Sequence, residues 1–444
     1  MDFVSLTFVW TLPLLENQKL TPFLFFTPGG STDDFCGTGC QEGYGGCGEA
    51  PTPSCSSGSN SASARRIGYY ESWATERPCD VFEPEDLELT GLTHINFAFS
   101  FFNPSTFQLS PMDSNAASLY SRFTALKAKQ PGLQAWLSVG GWSFNDATNS
   151  PDTQHAVSNM VSSSANRQAF ITSLRNFMQT YGFDGVDIDW EYPAADDRGG
   201  VAADYSNFPT FLAELRASFG SGLGISVTLP SSYWYLQHFD VLDMELSVDW
   251  FNFMSYDIHG VWDSSNKFTG PYIRPHTNLT EINNGLSLLW RAGLSPSKVV
   301  LGLGWYGRSF TLADPSCTTP NGVCQFTTGG TAGECTKSSG TLSNAEIKRL
   351  IAAGTGTESY DATAGVRWLT FDSNQWVSFD DGVTMQQKIS FANSLCLGGI
   401  MIVRDHFFTP VTGSLRFFIF IFFSFTVYPP LLTPFLSSFG KSKI

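Results

Sequence analysis

The sequence predicts an α/β fold: a closed (β/α)8 TIM barrel with a small α+β subdomain inserted between strands 7 and 8. Three observations carry this. Eight apolar, β-rich runs fall at 66–73, 93–100, 133–141, 183–191, 224–230, 249–256, 298–305 and 397–403. Amphipathic stretches of helical length at 115–129, 165–181, 204–218, 279–292, 342–354 and 383–395 lie between most of them. Strands alternating with helices build a parallel sheet, and eight repeats imply closure. The gap from about 306 to 396 is too long for one helix. It holds Cys317, Cys324, Cys335 and a β-like run at 365–371, which places the insertion at about 309–382.

Taken in order, residues 1–28 read as a degenerate leader. The stretch 3–15 is apolar, but Asp2 stands where a basic residue belongs and no small-x-small cleavage site follows. Residues 29–50 form a Cys/Gly segment, and 51–64 a Ser/Pro linker expected to be extended and flexible. The barrel occupies 65–403 and an atypical apolar tail 404–444. The tail's apolar run, 417–428, precedes Pro429-Pro430 and falls short of the ~20 residues a spanning helix needs, so no membrane partner is expected.

A chain of 444 residues suits one large barrel plus smaller pieces. Acidic residues outnumber basic ones 40 to 25, for a net charge of −15, which argues against nucleic acid and anionic membranes as partners and leaves a neutral polymer open. The 12 Trp and 14 Tyr supply flat rings for sugar faces or for the core. Nine cysteines, grouped at Cys36, Cys40, Cys47 and Cys55 and at Cys317, Cys324 and Cys335, with Cys79 and Cys396 single, read as disulfides and an extracellular location. The odd total leaves at least one unpaired. Asn278-Leu279-Thr280 is a glycosylation sequon.

The chemistry concentrates between Phe183 and Pro193, where Asp184, Asp187, Asp189 and Glu191 are interleaved with apolar residues. Strand alternation sends Asp187, Asp189 and Glu191 to one face and Val186, Ile188 and Trp190 to the other, with Asp184 on the opposite parity. Carboxyls crowded on one face cannot all ionise, so at least one keeps its proton near neutrality. The last inward residue of a barrel strand sits beside substrate, which makes Glu191 the general-acid candidate for glycosidic bond cleavage. Asp189, two residues away on the same side, is badly placed to attack from the opposite face, so the nucleophile must come from elsewhere. Solvated acids and a hard-cation site are the rival readings; no His-x-His or Glu-x-x-His accompanies the acids, and no metal is expected.

Asp184-x-x-Asp187-x-Asp189-x-Glu191 resembles the signature of glycoside hydrolase family 18, the chitinases. Ser138-Val139-Gly140-Gly141 resembles that family's third-strand motif, Met254-Ser255-Tyr256-Asp257 its sixth, and Trp305-Tyr306-Gly307-Arg308-Ser309-Phe310 the end of its seventh. The variety most similar is the fungal class V type with chitin-binding modules. The resemblance implies endo-hydrolysis of β-1,4-linked N-acetylglucosamine in chitin or chito-oligosaccharides by a monomer. The substrate's acetamido oxygen is then the nucleophile, Glu191 the acid and base, Asp189 the orienting group, Asp187 its proton-sharing partner and Tyr256 a hydrogen-bond donor. Tyr69, Phe99, Trp142, Tyr192, Met254, Asp257, Trp262, Tyr306 and Arg308 match cleft-lining positions. Arg308 is expected to bond sugar oxygens or Asp257, and Trp142 and Trp262 could equally be core. No cofactor is implied. A barrel that only binds chitin, and an endo-β-N-acetylglucosaminidase acting on N-glycans, are the alternatives within the family.

Two departures accompany the resemblance. Gly30 to Cys40 is similar to the second half of a hevein-type module whose first half is absent before it. The family also places Trp directly after its eighth strand as a floor beneath the sugar, whereas here Gly398-Gly399-Ile400-Met401-Ile402-Val403 is followed by Arg404.

Overall fold

The computed structural model describes residues 50–403. The partial hevein-type segment up to residue 49, the leader, the Arg404 position and the apolar tail lie outside the described residues.

Eight parallel strands form the barrel: Arg66–Glu71, His94–Phe102, Gln134–Gly140, Gly185–Asp189, Gly224–Pro230, Trp250–Met254, Val299–Gly304 and Gly399–Val403. Each pairs with the next, and the first also pairs with the eighth, Ile67 facing Met401, which closes the cylinder. All eight expected runs are strands, most of them shorter than the apolar run because flanking residues turn into loops. The second instead extends to Phe102 and folds back on an antiparallel strand, Leu109–Pro111.

Helices cover the outside. The helix Ser164–Tyr181 is typical: Ser163 caps its start by accepting from the Asn166 N–H, and Gly182 ends it in the left-handed conformation. Its Phe170, Ile171, Leu174 and Met178 face inward at helical spacing against outward residues of the strands such as Val186 and Ile188. The barrel interior is a separate layer. Its floor is apolar, with Trp136 and Trp250 packed at 4.2 Å between centroids beside Ile67 and Met401. Trp136 lies so close to Gly185 that an added Cβ there would stand 2.3 Å from the indole, which explains the glycine inside the acidic motif.

The insertion begins as the chain leaves strand 7. Strand Tyr306–Leu312 pairs with Phe326–Gly329, Thr341–Ser343 and Gln375–Phe379, and the sheet continues through Val366–Phe371 to Gly356–Asp361, with the helix Asn344–Ala353 in the same unit.

Cysteine pairing differs from the sequence grouping. Cys79 and Cys396, single in sequence, pair with Cys335 and Cys55, which leaves Cys317–Cys324 as the local bridge among the described residues. The linker is also not the free tether its composition suggested. Cys55 is bonded to the turn after the last helix, and Ala62 is buried with its N–H donated to Asn393. Ser/Pro composition does not anticipate a disulfide at the linker's own cysteine.

Candidate active site

Strand 4 alternates as its sequence predicts. Val186, Ile188 and Trp190 join the outer core, while Asp187, Asp189 and Glu191 are buried in a rising column on the inner side. Asp184 serves the other end of the strand, accepting from the Ala135 N–H at 2.9 Å and pairing with Lys127 at 2.8 Å. The first acid of the motif therefore pins strand register.

Asp187 is saturated with donors. Tyr69 and Ser138 hydroxyls reach one oxygen at 2.8 Å each, and Ser226 and Asn252 reach the other at 2.7 and 3.0 Å. Burial pushes its carboxyl up, and these four donors oppose that rise. Asp189 has a poorer set. Thr228 donates at 2.6 Å, and burial, then Glu191, then Asp187 drive the carboxyl well above the ordinary range. Asp189, with fewer donors than Asp187 and an acid on either side of it, is the member of the column whose charge is opposed most strongly.

Burial lifts Glu191 to about 7, against the pull of the Tyr192 hydroxyl and Arg198 and with a further push from Asp257. Its backbone is held by a residue the sequence motifs did not single out. Arg198 is buried, donates from Nε to the Glu191 carbonyl at 2.8 Å and from Nη2 to the Trp142 carbonyl at 2.6 Å, and lies 3.7 Å from the centre of the Trp142 ring. An arginine seven residues past a motif carries no local signal of that role. The strand 3 exit supports the column from the side: Gly140, at φ 113°, lies where a Cβ would stand 2.2 Å from the Asp189 carbonyl, and Gly141 donates to that carbonyl at 2.9 Å.

Across the mouth, Tyr256 leaves strand 6. Among the described residues its hydroxyl meets the soft Met401 sulfur, at 4.0 Å. Burial and then Asp189 keep it protonated, and so a donor. Asp257 is gripped by Arg308 through both oxygens, at 2.8 and 2.5 Å. Burial alone would raise its carboxyl, but Arg308 and His276 outweigh burial and hold it below the usual range. Arg308 also donates to Thr341 and sits 5.2 Å from the Trp262 ring centre. The insertion's first strand thereby completes the site with Tyr306 and Arg308.

The remaining expected cleft residues divide. Trp142 and Trp262 are 49% and 43% exposed, so neither is core. Phe99 is stacked on Trp73, and Met254 is half-buried. Tyr192 is buried under Tyr235 at 4.1 Å. Tyr69 sits inside the barrel beneath the acids, where it serves Asp187 rather than an open cleft wall. Among the described residues the one close group of potential metal ligands, Cys79, Glu334 and Cys335, contains a disulfide.

A (β/α)8 barrel whose strand ends raise a buried column of carboxyls to a titratable glutamate has the design of a glycoside hydrolase. The chain belongs to the glycosyl hydrolases family 18, whose model matches residues 65–404. It is 31% identical over 396 residues to the Secreted chitinase LysM12 of Penicillium expansum, a match covering 83% of this chain and 26% of that protein. Chitotriosidase-1 of Mus musculus is 32% identical over 357 residues, 77% of this chain and 72% of the mouse protein. The crystal structure of Ostrinia furnacalis Group IV chitinase in complex with allosamidin aligns with a TM-score of 0.68 at 33% identity, covering 76% of this chain and 91% of that one. The chain spans only about a quarter to a third of the length of its Penicillium expansum relatives.

Proposed function

We propose that the barrel hydrolyses internal β-1,4 linkages of chitin and chito-oligosaccharides with retention of configuration, using the substrate's acetamido group as nucleophile. One observation carries the mechanism: Asp187, Asp189 and Glu191 are buried in one column, where burial pushes the Asp189 carboxyl up and lifts Glu191 to about 7, so that Glu191 can both give and take a proton. Glu191 protonates the leaving oxygen as the acetamido oxygen attacks the anomeric carbon, giving an oxazolinium ion. Asp189 gives up its proton toward Asp187, its proton-sharing partner, as charge develops, so that its carboxylate accepts from the acetamido N–H and stabilises the positive charge, and Tyr256 donates to the acetamido oxygen. The Glu191 carboxylate then takes a proton from water, which opens the ring at the anomeric carbon. Asp257 is a poor alternative nucleophile because Arg308 occupies both its oxygens. The chitinase names of the relatives support the same substrate. Three disulfides among the described residues support an extracellular location, and the Cys/Gly segment and linker ahead of the barrel support the fungal class V type.

The test is to incubate the full chain and Glu191→Gln with chito-oligosaccharides and with a high-mannose glycopeptide. The parent chain is expected to cleave the oligosaccharides, and the variant to lose roughly 10²- to 10⁴-fold. Undiminished cleavage by Glu191→Gln would sink the mechanism. Binding without cleavage by the parent would favour a lectin, and cleavage of the glycopeptide alone an endo-β-N-acetylglucosaminidase.

A further inference from the structure

The loop leaving strand 6 holds a buried histidine that the mechanism does not use. Each ring nitrogen of His259 faces a carboxylate: Nδ1 lies 2.7 Å from Asp263 and Nε2 lies 2.8 Å from Glu281. A neutral imidazole donates from one nitrogen only, so two carboxylate acceptors select the doubly protonated, charged ring. Burial opposes that charge, but the hydrogen bonds to Asp263 and Glu281 outweigh burial and push the ring up to about 9. The two acids, which are the charged groups facing the ring, come from different elements. Asp263 belongs to the five-residue turn Val261–Ser265, and Glu281 to the helix Leu279–Ala292.

The turn fastened in this way carries Trp262. The indole lies against the backbone of Gly260, where an added Cβ would stand 2.2 Å from it. Its ring centre is 5.2 Å from the Arg308 guanidinium, the group that grips Asp257 at the mouth of the barrel. Val261 and Trp262 are both exposed, while Asp263 between the turn and the helix is buried. A turn this short with its apolar residues outside gains little from core packing. The bridge through His259 is therefore a main tie between the turn and the barrel's outer layer.

We propose that His259 is a positioning residue for substrate: by donating to Asp263 and Glu281 together, it ties the turn to the helix and holds Trp262 beside Arg308 for the sugar chain. The inference rests on the chitin-directed reading above and adds a residue that acts through Trp262 without touching the ligand. The folded value lies above the ordinary 6.5, so the tie is complete below 6.5 and is lost as pH rises through about 9.

Calorimetric titration of chitohexaose between pH 6 and pH 10 tests this in the full chain carrying Glu191→Gln. The same titrations are made after adding His259→Gln, Trp262→Ala, both of these, or Glu281→Gln. At pH 7, His259→Gln is expected to weaken binding roughly five- to tenfold. In the Trp262→Ala background it should cost less than about twofold, because residues acting through one contact are not additive. With His259 intact, affinity should fall by a similar factor as pH rises through about 9. Glu281→Gln keeps an acceptor but removes a charge, so it should bring the midpoint of that fall to lower pH. Additive losses for His259→Gln and Trp262→Ala would overturn the proposal. So would a midpoint that Glu281→Gln leaves in place, a result that stands even if His259→Gln fails to fold. Should the Glu191→Gln chain bind no chitohexaose at pH 7, the chitin-directed reading itself fails and takes the role of His259 with it.

Discussion

At the scale of single residues, Glu191 as the proposed general acid is expected to set the pH response. A general acid must carry its proton, so kcat/KM should fall as pH rises through about 7, the value to which burial lifts this carboxyl. Stability is linked with the same sign. The folded pKa lies above the ordinary 4.5, so the folded state holds the extra proton between those values. The stabilisation is complete below 4.5 and lost as pH rises to about 7, at up to roughly 1.4 kcal/mol per pH unit. Urea melts at pH 5 and pH 7.5 should show that loss in the parent, and a smaller one in Glu191→Gln; equal slopes would contradict the assignment. The acids were legible in sequence because strand alternation fixes which side they share. Their differing protonation was only partly so, because it depends on the four donors to Asp187 that come from strands 1, 3, 5 and 6.

Among elements, the loops leaving the strands do what periodicity could not reveal. All eight strands were readable because apolar β-rich runs alternate with helical stretches. By contrast, Arg198 becomes informative only when the turn Asp196–Arg198 folds back between the exits of strands 3 and 4. Its charge draws Glu191 downward while burial and Asp257 push it up. Arg198→Met should therefore move the alkaline limb of kcat/KM to higher pH and loosen the Trp142 loop, lowering kcat by about tenfold or more. Arg198→Lys restores the charge without the forked geometry, and should return the limb toward 7 while leaving kcat low. A limb that stays put in both variants would assign Arg198 a packing role alone. The same reasoning covers Tyr306 and Arg308: their seventh-strand motif was visible, but its continuation into the insertion's first strand, which brings Arg308 onto Asp257, is a tertiary fact.

For the whole molecule, the insertion and the linker are fastened in different ways, and the difference predicts separable effects. Cys55–Cys396 closes a separation of 341 residues on the far side of the last helix. Cys79–Cys335 spans 256 residues and joins the loop after strand 1 to the insertion, where Arg349 also grips Asp80 at 2.8 and 3.1 Å. That loop carries Trp73, stacked on Phe99, and the insertion carries Tyr306 and Arg308, so this bridge braces two walls of the site. Long closures restrict the unfolded chain, and losing either should cost about 2–5 kcal/mol and lower Tm by several degrees. Only the second should reach the substrate. Replacing Cys79 and Cys335 with Ala is expected to raise KM for chito-oligosaccharides several-fold, while the Cys55 and Cys396 pair should lower Tm with KM within about twofold of the parent. Matched KM changes in the two double variants would mean that the insertion is held by its sheet and by Arg349 alone, and that the disulfide contributes nothing to the shape of the cleft.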